Sequence, residues 1–137
     1  MNKIDIALKE AHKAFKKGEV PIGCAIFLDG QLISKAHNIK QKTKICTNHA
    51  EVLAIIKAEK KLKDWRLNNC EMYVTLEPCN MCKEIIRQSR ISKVYYLSKS
   101  RFINENNKVI SYELLKNCDD LNDTYLKLLK DFFKNKR

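Results

Sequence analysis

Glycine and proline are scarce in this chain, with three and two residues respectively among 137. No Gly-, Ser- or Pro-rich stretch, repeat or low-complexity tract divides it, so a single domain over residues 1–137 is expected. Long apolar runs are also missing. None approaches the roughly 20 residues that a membrane-crossing helix needs, which excludes a helical span. The opening MNKIDIALKEAHKAFKKGEV has no apolar signal core, and Asp5, Glu10 and Glu19 are out of place in a transit peptide, so a cytoplasmic location is expected. Acidic residues are the minority charge: 16 Asp and Glu stand against 27 Lys and Arg, a net charge of +11. That surplus suits an anionic partner such as nucleic acid. An AT-rich coding sequence, which favours Lys, Asn and Ile, would produce the same bias.

Cysteine, by contrast, is plentiful, at six residues. Where thiols stay reduced, clustered cysteine reads as metal-binding or catalytic chemistry rather than as a disulfide scaffold. With 45% apolar residues, a chain of this length also needs no covalent staples to hold a core.

Ile4, Ala7, Leu8, Ala11, Ala14 and Phe15 recur at spacings of three and four, with lysines between them, which predicts a helix with one buried face ended by Gly18. Ile22 to Leu28 and Gln31 to His37 are strand-like runs joined by Asp29-Gly30, a strong hairpin signal. Residues 39–48 are polar and basic and read as a loop. Thr47 or Asn48 is placed to cap a helix built on Ala50, Leu53, Ala54 and Ile56 to Ala58. Met72 to Leu76 is a third strand, Pro78 suits the first position of a helix over 79–89, and Val94 to Leu97 is a fourth strand. Within 98–120 the run Val109 to Leu115 fits either a strand or a helical turn. Leu121, Tyr125, Leu128, Leu129, Phe132 and Phe133 then form the apolar stripe of a terminal helix. This order predicts an α/β layered sheet with parallel crossovers in its second half.

Two motifs carry the chemistry, His49-Ala50-Glu51 and Pro78-Cys79-Asn80-Met81-Cys82, each at an expected helix start. Cys79 and Cys82 are three apart, so their sulfurs share one helical face, where the free N–H groups of the first turn favour thiolates. With His49 as a third ligand, a tetrahedral zinc ion keeps one position open for water, the arrangement of a catalytic site. Two thiolates already neutralise the metal, so a nearby base would assist that water, and Glu51 is placed to take and return a proton. Hydrolytic deamination requires both transfers. Other readings remain open. Cys46 could close a four-ligand structural site, His37 and Cys70 are weaker candidates for that place, and Cys79-x-x-Cys82 alone could be a redox pair. A metalloprotease lacks its two histidines on one helical face.

His-x-Glu followed by Pro-Cys-x-x-Cys resembles the signature of the zinc-dependent cytidine deaminase-like superfamily. The stretches Glu19 to Gly23, Asn48 to Leu53, Asp64 to Leu67, Tyr73 to Cys82, Ser89 to Ile91 and Leu128 to Phe133 look most like the bacterial tRNA adenosine deaminases. The resemblance implies a three-layer αβα fold around a central mixed sheet of about five strands, one zinc ion per chain on His49, Cys79 and Cys82, and Glu51 as proton shuttle. It further implies that Asn38 contacts the target nucleoside, that the chain forms a homodimer, and that the wobble adenosine of a tRNA anticodon loop is converted to inosine. Phosphates would then meet Lys40, Lys42, Lys44, Arg87, Arg90, Lys134, Lys136 and Arg137. One stretch departs from the family pattern: Leu97-Ser98-Lys99-Ser100 stands where a Gly-Ala-x-Asp sequence usually lines the substrate groove. A deaminase of a free base or nucleotide (guanine, cytosine or deoxycytidylate) is the alternative.

Overall fold

The computed structural model describes residues 2–100 and 110–134. Helix α1 (Lys3–Lys16) buries Ile4, Ala7, Leu8, Ala11 and Ala14, as their spacing predicts. Asp5 closes its first turn by accepting a hydrogen bond from the Asn2 backbone N–H (3.0 Å). Strands β1 (Gly23–Leu28) and β2 (Gln31–His37) form the hairpin, with Asp29 and Gly30 both at positive φ (50° and 80°), as its tight turn demands. Gly23 is required by packing. A Cβ there would lie 1.8 Å from the carbonyl oxygen of Ala7 and 2.5 Å from the nitrogen of Ala11, so α1 rests backbone against backbone on β1.

Residues 39–48 contain a short helix, α2 (Lys40–Thr43), where a loop was expected. No apolar period announces it, because it is held from a distance. The buried carboxylate of Glu19 accepts the backbone N–H groups of Gln41 (2.9 Å) and Lys42 (2.8 Å). Helix α3 (Ala50–Leu62), strand β3 (Cys70–Leu76), helix α4 (Asn80–Gln88) and strand β4 (Lys93–Ser98) follow in the predicted order. The unresolved choice near residue 110 falls to a strand, β5 (Ser111–Leu114), pairing parallel to β4; Val109 lies outside the described residues. The chain then forms α5 (Asp119–Lys134). Its stripe packs Leu121, Tyr125, Leu128 and Leu129 inward, but Phe133 is 57% exposed and stands edge-on to the buried Phe132.

The sheet order is β2-β1-β3-β4-β5, antiparallel across β2, β1 and β3 and parallel across β3, β4 and β5. Alternation of side chains splits the core. Cys24, Ile26, Met72, Val74, Val94 and Tyr96 join the α3 and α4 side, while Ala25, Phe27 and Leu97 join α1 and α5. The sheet is therefore sandwiched between helix layers, the αβα arrangement expected. No helix among the described residues is long and apolar enough to cross a membrane.

Candidate metal centre

Both α3 and α4 begin where the chain enters the layer above the sheet, and the residues flanking those starts are the motif residues. His49 is the N-cap of α3 and Cys79 the N-cap of α4, both with extended backbone (ψ 154° and 169°) that turns the side chain away from the helix axis. This moves two predicted boundaries by one residue. Asn48 does not cap α3, because its carboxamide donates to Thr43 Oγ1 (2.9 Å), and Pro78 precedes the α4 cap rather than opening the helix. The missing cap comes from elsewhere: Asn38, at the end of β2, accepts the Ala50 N–H on its Oδ1 at 2.7 Å. Asn38 thus fastens the turn that carries His49 and Glu51, a task its position in the sequence does not disclose.

His49 Nδ1 lies 3.9 Å from Cys79 Sγ and 3.5 Å from Cys82 Sγ, and the three donor atoms all fall within 4.8 Å of one another. Sulfur and nitrogen ligands in a half-buried, three-cornered set suit zinc, and no fourth protein donor joins the group among the described residues. Cys46, Cys70 and His37 are not in the group. Cys46 is exposed and Cys70 is buried in β3. His37 Nδ1 instead bonds Glu10 Oε1 (3.0 Å), whose other oxygen pairs with Lys13 (2.7 Å).

Charge is shared unequally within the triad. Hydrogen bonds from Cys82 and His49 pull the Cys79 thiol down to about 4, so it is the first to carry a negative charge. The bond to Cys79 and burial push Cys82 up. His49 is raised chiefly by its bond to Cys79. A cation placed among them would draw the second thiol into its charged form.

Glu51, in the first turn of α3, is 2% exposed, and its Oε1 has no hydrogen-bond partner. Burial raises its carboxyl to about 7, with the Cys79 charge adding to the effect and the helix N–H bond opposing it. A buried carboxyl that keeps one oxygen free of hydrogen bonds and titrates near neutrality is suited to take up and release a proton.

Near this centre Lys83 and Tyr112 were not singled out by their sequence. Glu77 and Lys83 form an ion pair (3.4 Å) with both side chains buried, and the Lys83 ammonium lies 4.8 Å above the Tyr112 ring of β5. The signal was present: Lys83 lies four residues after Cys79 and three before Ile86, on the buried face of α4. The divergent stretch 97–100 is also docked here, with the Ser98 hydroxyl donating to Asn122 Oδ1 on α5 and the Ser100 N–H donating to Glu77 Oε1 (3.2 Å). Of the expected phosphate contacts, Lys40, Lys42 and Lys44 are exposed on and beside α2. Arg87 donates to Glu84 (3.0 Å), Arg90 packs on Trp65, and Lys136 and Arg137 lie outside the described residues.

A layered mixed sheet with a His-Cys-Cys donor set at two helix starts and a buried glutamate beside it is the arrangement of a zinc-binding domain. The family model for the cytidine and deoxycytidylate deaminase zinc-binding region matches residues 2–98, and the chain belongs to this family. It is similar to the tRNA-specific adenosine deaminase of Aquifex aeolicus (strain VF5), 50% identical over 93 residues, which are 68% of this chain and 62% of that protein. The tRNA-specific adenosine deaminase of Bacillus subtilis (strain 168) is 47% identical over 90 residues, 66% of this chain and 56% of the relative. The matched stretch thus spans less than two thirds of either relative's length. A solved structure from studies of A-to-I editing by tRNA:A34 deaminases at the wobble position of transfer RNA superimposes with a TM-score of 0.75 at 31% identity, covering 82% of this chain and 95% of that one.

Proposed function

We propose that this protein is a hydrolase that converts the wobble adenosine of a tRNA anticodon loop to inosine with release of ammonia. The observation that carries the reaction type is the buried carboxyl of Glu51, one oxygen of which has no hydrogen-bond partner, beside three converging His and Cys donors. The substrate class rests on the likeness to proteins named for it.

His49, Cys79 and Cys82 would hold one zinc ion, which when bound supplies the Lewis acidity that makes water a nucleophile near neutral pH. Glu51 takes a proton as the water oxygen adds to C6 of the adenine, and gives a proton to the amino group as it departs. Its raised proton affinity makes both transfers feasible near neutrality. Asn38 anchors the turn bearing His49 and Glu51 while standing beside the base. The exposed lysines of α2 meet the phosphates of a splayed loop.

A homodimer fits the outer face of α3 and α4, where exposed Ile56 and Trp65 flank a groove floored by Val52, Ile55 and Ile85. A single domain acting in the cytoplasm completes this reading.

The test is to incubate purified protein with unmodified tRNA and, separately, with free guanine, cytosine and adenosine, and to identify the products. Inosine in tRNA is expected. Glu51→Gln should retain zinc and lose activity by about 100-fold or more, the scale of a general acid–base group. Turnover of a free base in preference to tRNA would refute the substrate class, and an active Glu51→Gln would refute the proton role.

A further inference from the structure

Glu77 and Lys83 bracket the Pro78-Cys79-Asn80-Met81-Cys82 turn, the carboxylate just before it and the ammonium just after. Their ion pair (3.4 Å) joins the two ends of the turn, and the Lys83 N–H donates to the Cys79 carbonyl (2.9 Å) as the first helical bond of α4. The side chains are 9% and 5% exposed for Lys83 and Glu77. Each partner also has a second contact: Glu77 Oε1 receives the Ser100 N–H (3.2 Å), and the ammonium sits over the Tyr112 ring at 4.8 Å. The pair therefore ties the ligand turn to the segment after β4 and to the fifth strand.

A buried ion pair is a poor device for stability, because removing two charges from water offsets most of their attraction and an apolar pair of like volume serves as well. It is a good device for geometry, since it fixes a distance and direction that apolar contact leaves free. We infer that Glu77 and Lys83 are positioning residues for the metal centre, clamping Cys79 and Cys82 at ligand spacing. This rests on the zinc-site reading above and extends it from the ligands to the residues that orient them. Such supporting partners commonly carry about 10- to 100-fold in metal affinity.

The experiment compares wild type, E77Q, K83M and the E77Q/K83M double variant, measuring zinc affinity by chelator competition and the melting temperature of the zinc-free protein. E77Q leaves an ammonium buried without its carboxylate and should lower both quantities. The double variant removes both charges while keeping volume. It should melt close to wild type yet bind zinc about 10- to 100-fold more weakly. Wild-type zinc affinity in the double variant would overturn the inference, as would affinity losses that merely track melting temperature across the set. If the double variant does not fold, K83M alone decides by the same two measurements. Failure of the wild type to bind one zinc would instead bring down the metal-site reading itself.

Discussion

In the proposed reaction three donor atoms and one carboxyl carry the chemistry, and their properties come from neighbours as much as from residue type. Cys79 is held charged by hydrogen bonds from Cys82 and His49, while burial keeps the Glu51 carboxyl protonated to about pH 7. Cys46 is exposed and stands outside the donor group. Cys46→Ser should therefore keep one zinc per chain, whereas Cys79→Ser should lose it, as metal analysis of the purified variants will show. A second test concerns Glu10. Burial raises its carboxyl, but hydrogen bonds and charge from Lys13 and His37 together outweigh burial and hold it below the ordinary 4.5. A depressed carboxyl stabilises the fold above its unfolded value and gives up that contribution as pH falls through the folded one. Melting temperatures taken from about pH 6 to about pH 3 should drop more steeply for wild type than for Glu10→Gln.

Elements that bury a regular face declared themselves, and those held by distant partners did not. Helices α1 and α5 follow their apolar spacing, and the Asp29-Gly30 turn defines the hairpin. Helix α2 has no buried residue and depends on the Glu19 carboxylate, twenty-two residues before Gln41. Strand β5 has only four residues, of which Tyr112 alone packs on the core, so its periodicity carries little information. Backbone meets backbone closely at Gly23, whose role is invisible until α1 is laid on β1. Gly23→Ala must push α1 off the sheet. A loss of about 3 kcal/mol or more is expected in denaturant unfolding, at the upper end of overpacking penalties because backbone atoms cannot rotate away.

Taken whole, the molecule sets a strongly cationic exterior against a site built from partly buried acid and thiol groups. Its +11 charge is distributed largely over exposed lysines, with Lys40, Lys42 and Lys44 gathered near the turn that carries His49. If six or more phosphates of an RNA loop are neutralised, affinity should fall about 1,000-fold or more between roughly 50 and 200 mM salt. Filter binding or fluorescence titration across that range measures the slope. A flat response would point to a small uncharged substrate.

The alternation of helix and strand, the hairpin and the two metal-ligand motifs could all be read from local spacing, because each depends on residues within a turn or two of one another. Asn38 capping α3, Glu19 holding α2, His37 committed to Glu10 rather than to metal, and Lys83 paired with Glu77 could not. The first three join positions twelve to twenty-seven residues apart, and the last pairs two charges that a linear pattern would assign to solvent. Local propensity has no access to such partners. They exist only once the fold brings α1, the ends of β2 and β3 and the starts of α2, α3 and α4 into place, where the cost of burying a polar group selects the neighbour that satisfies it.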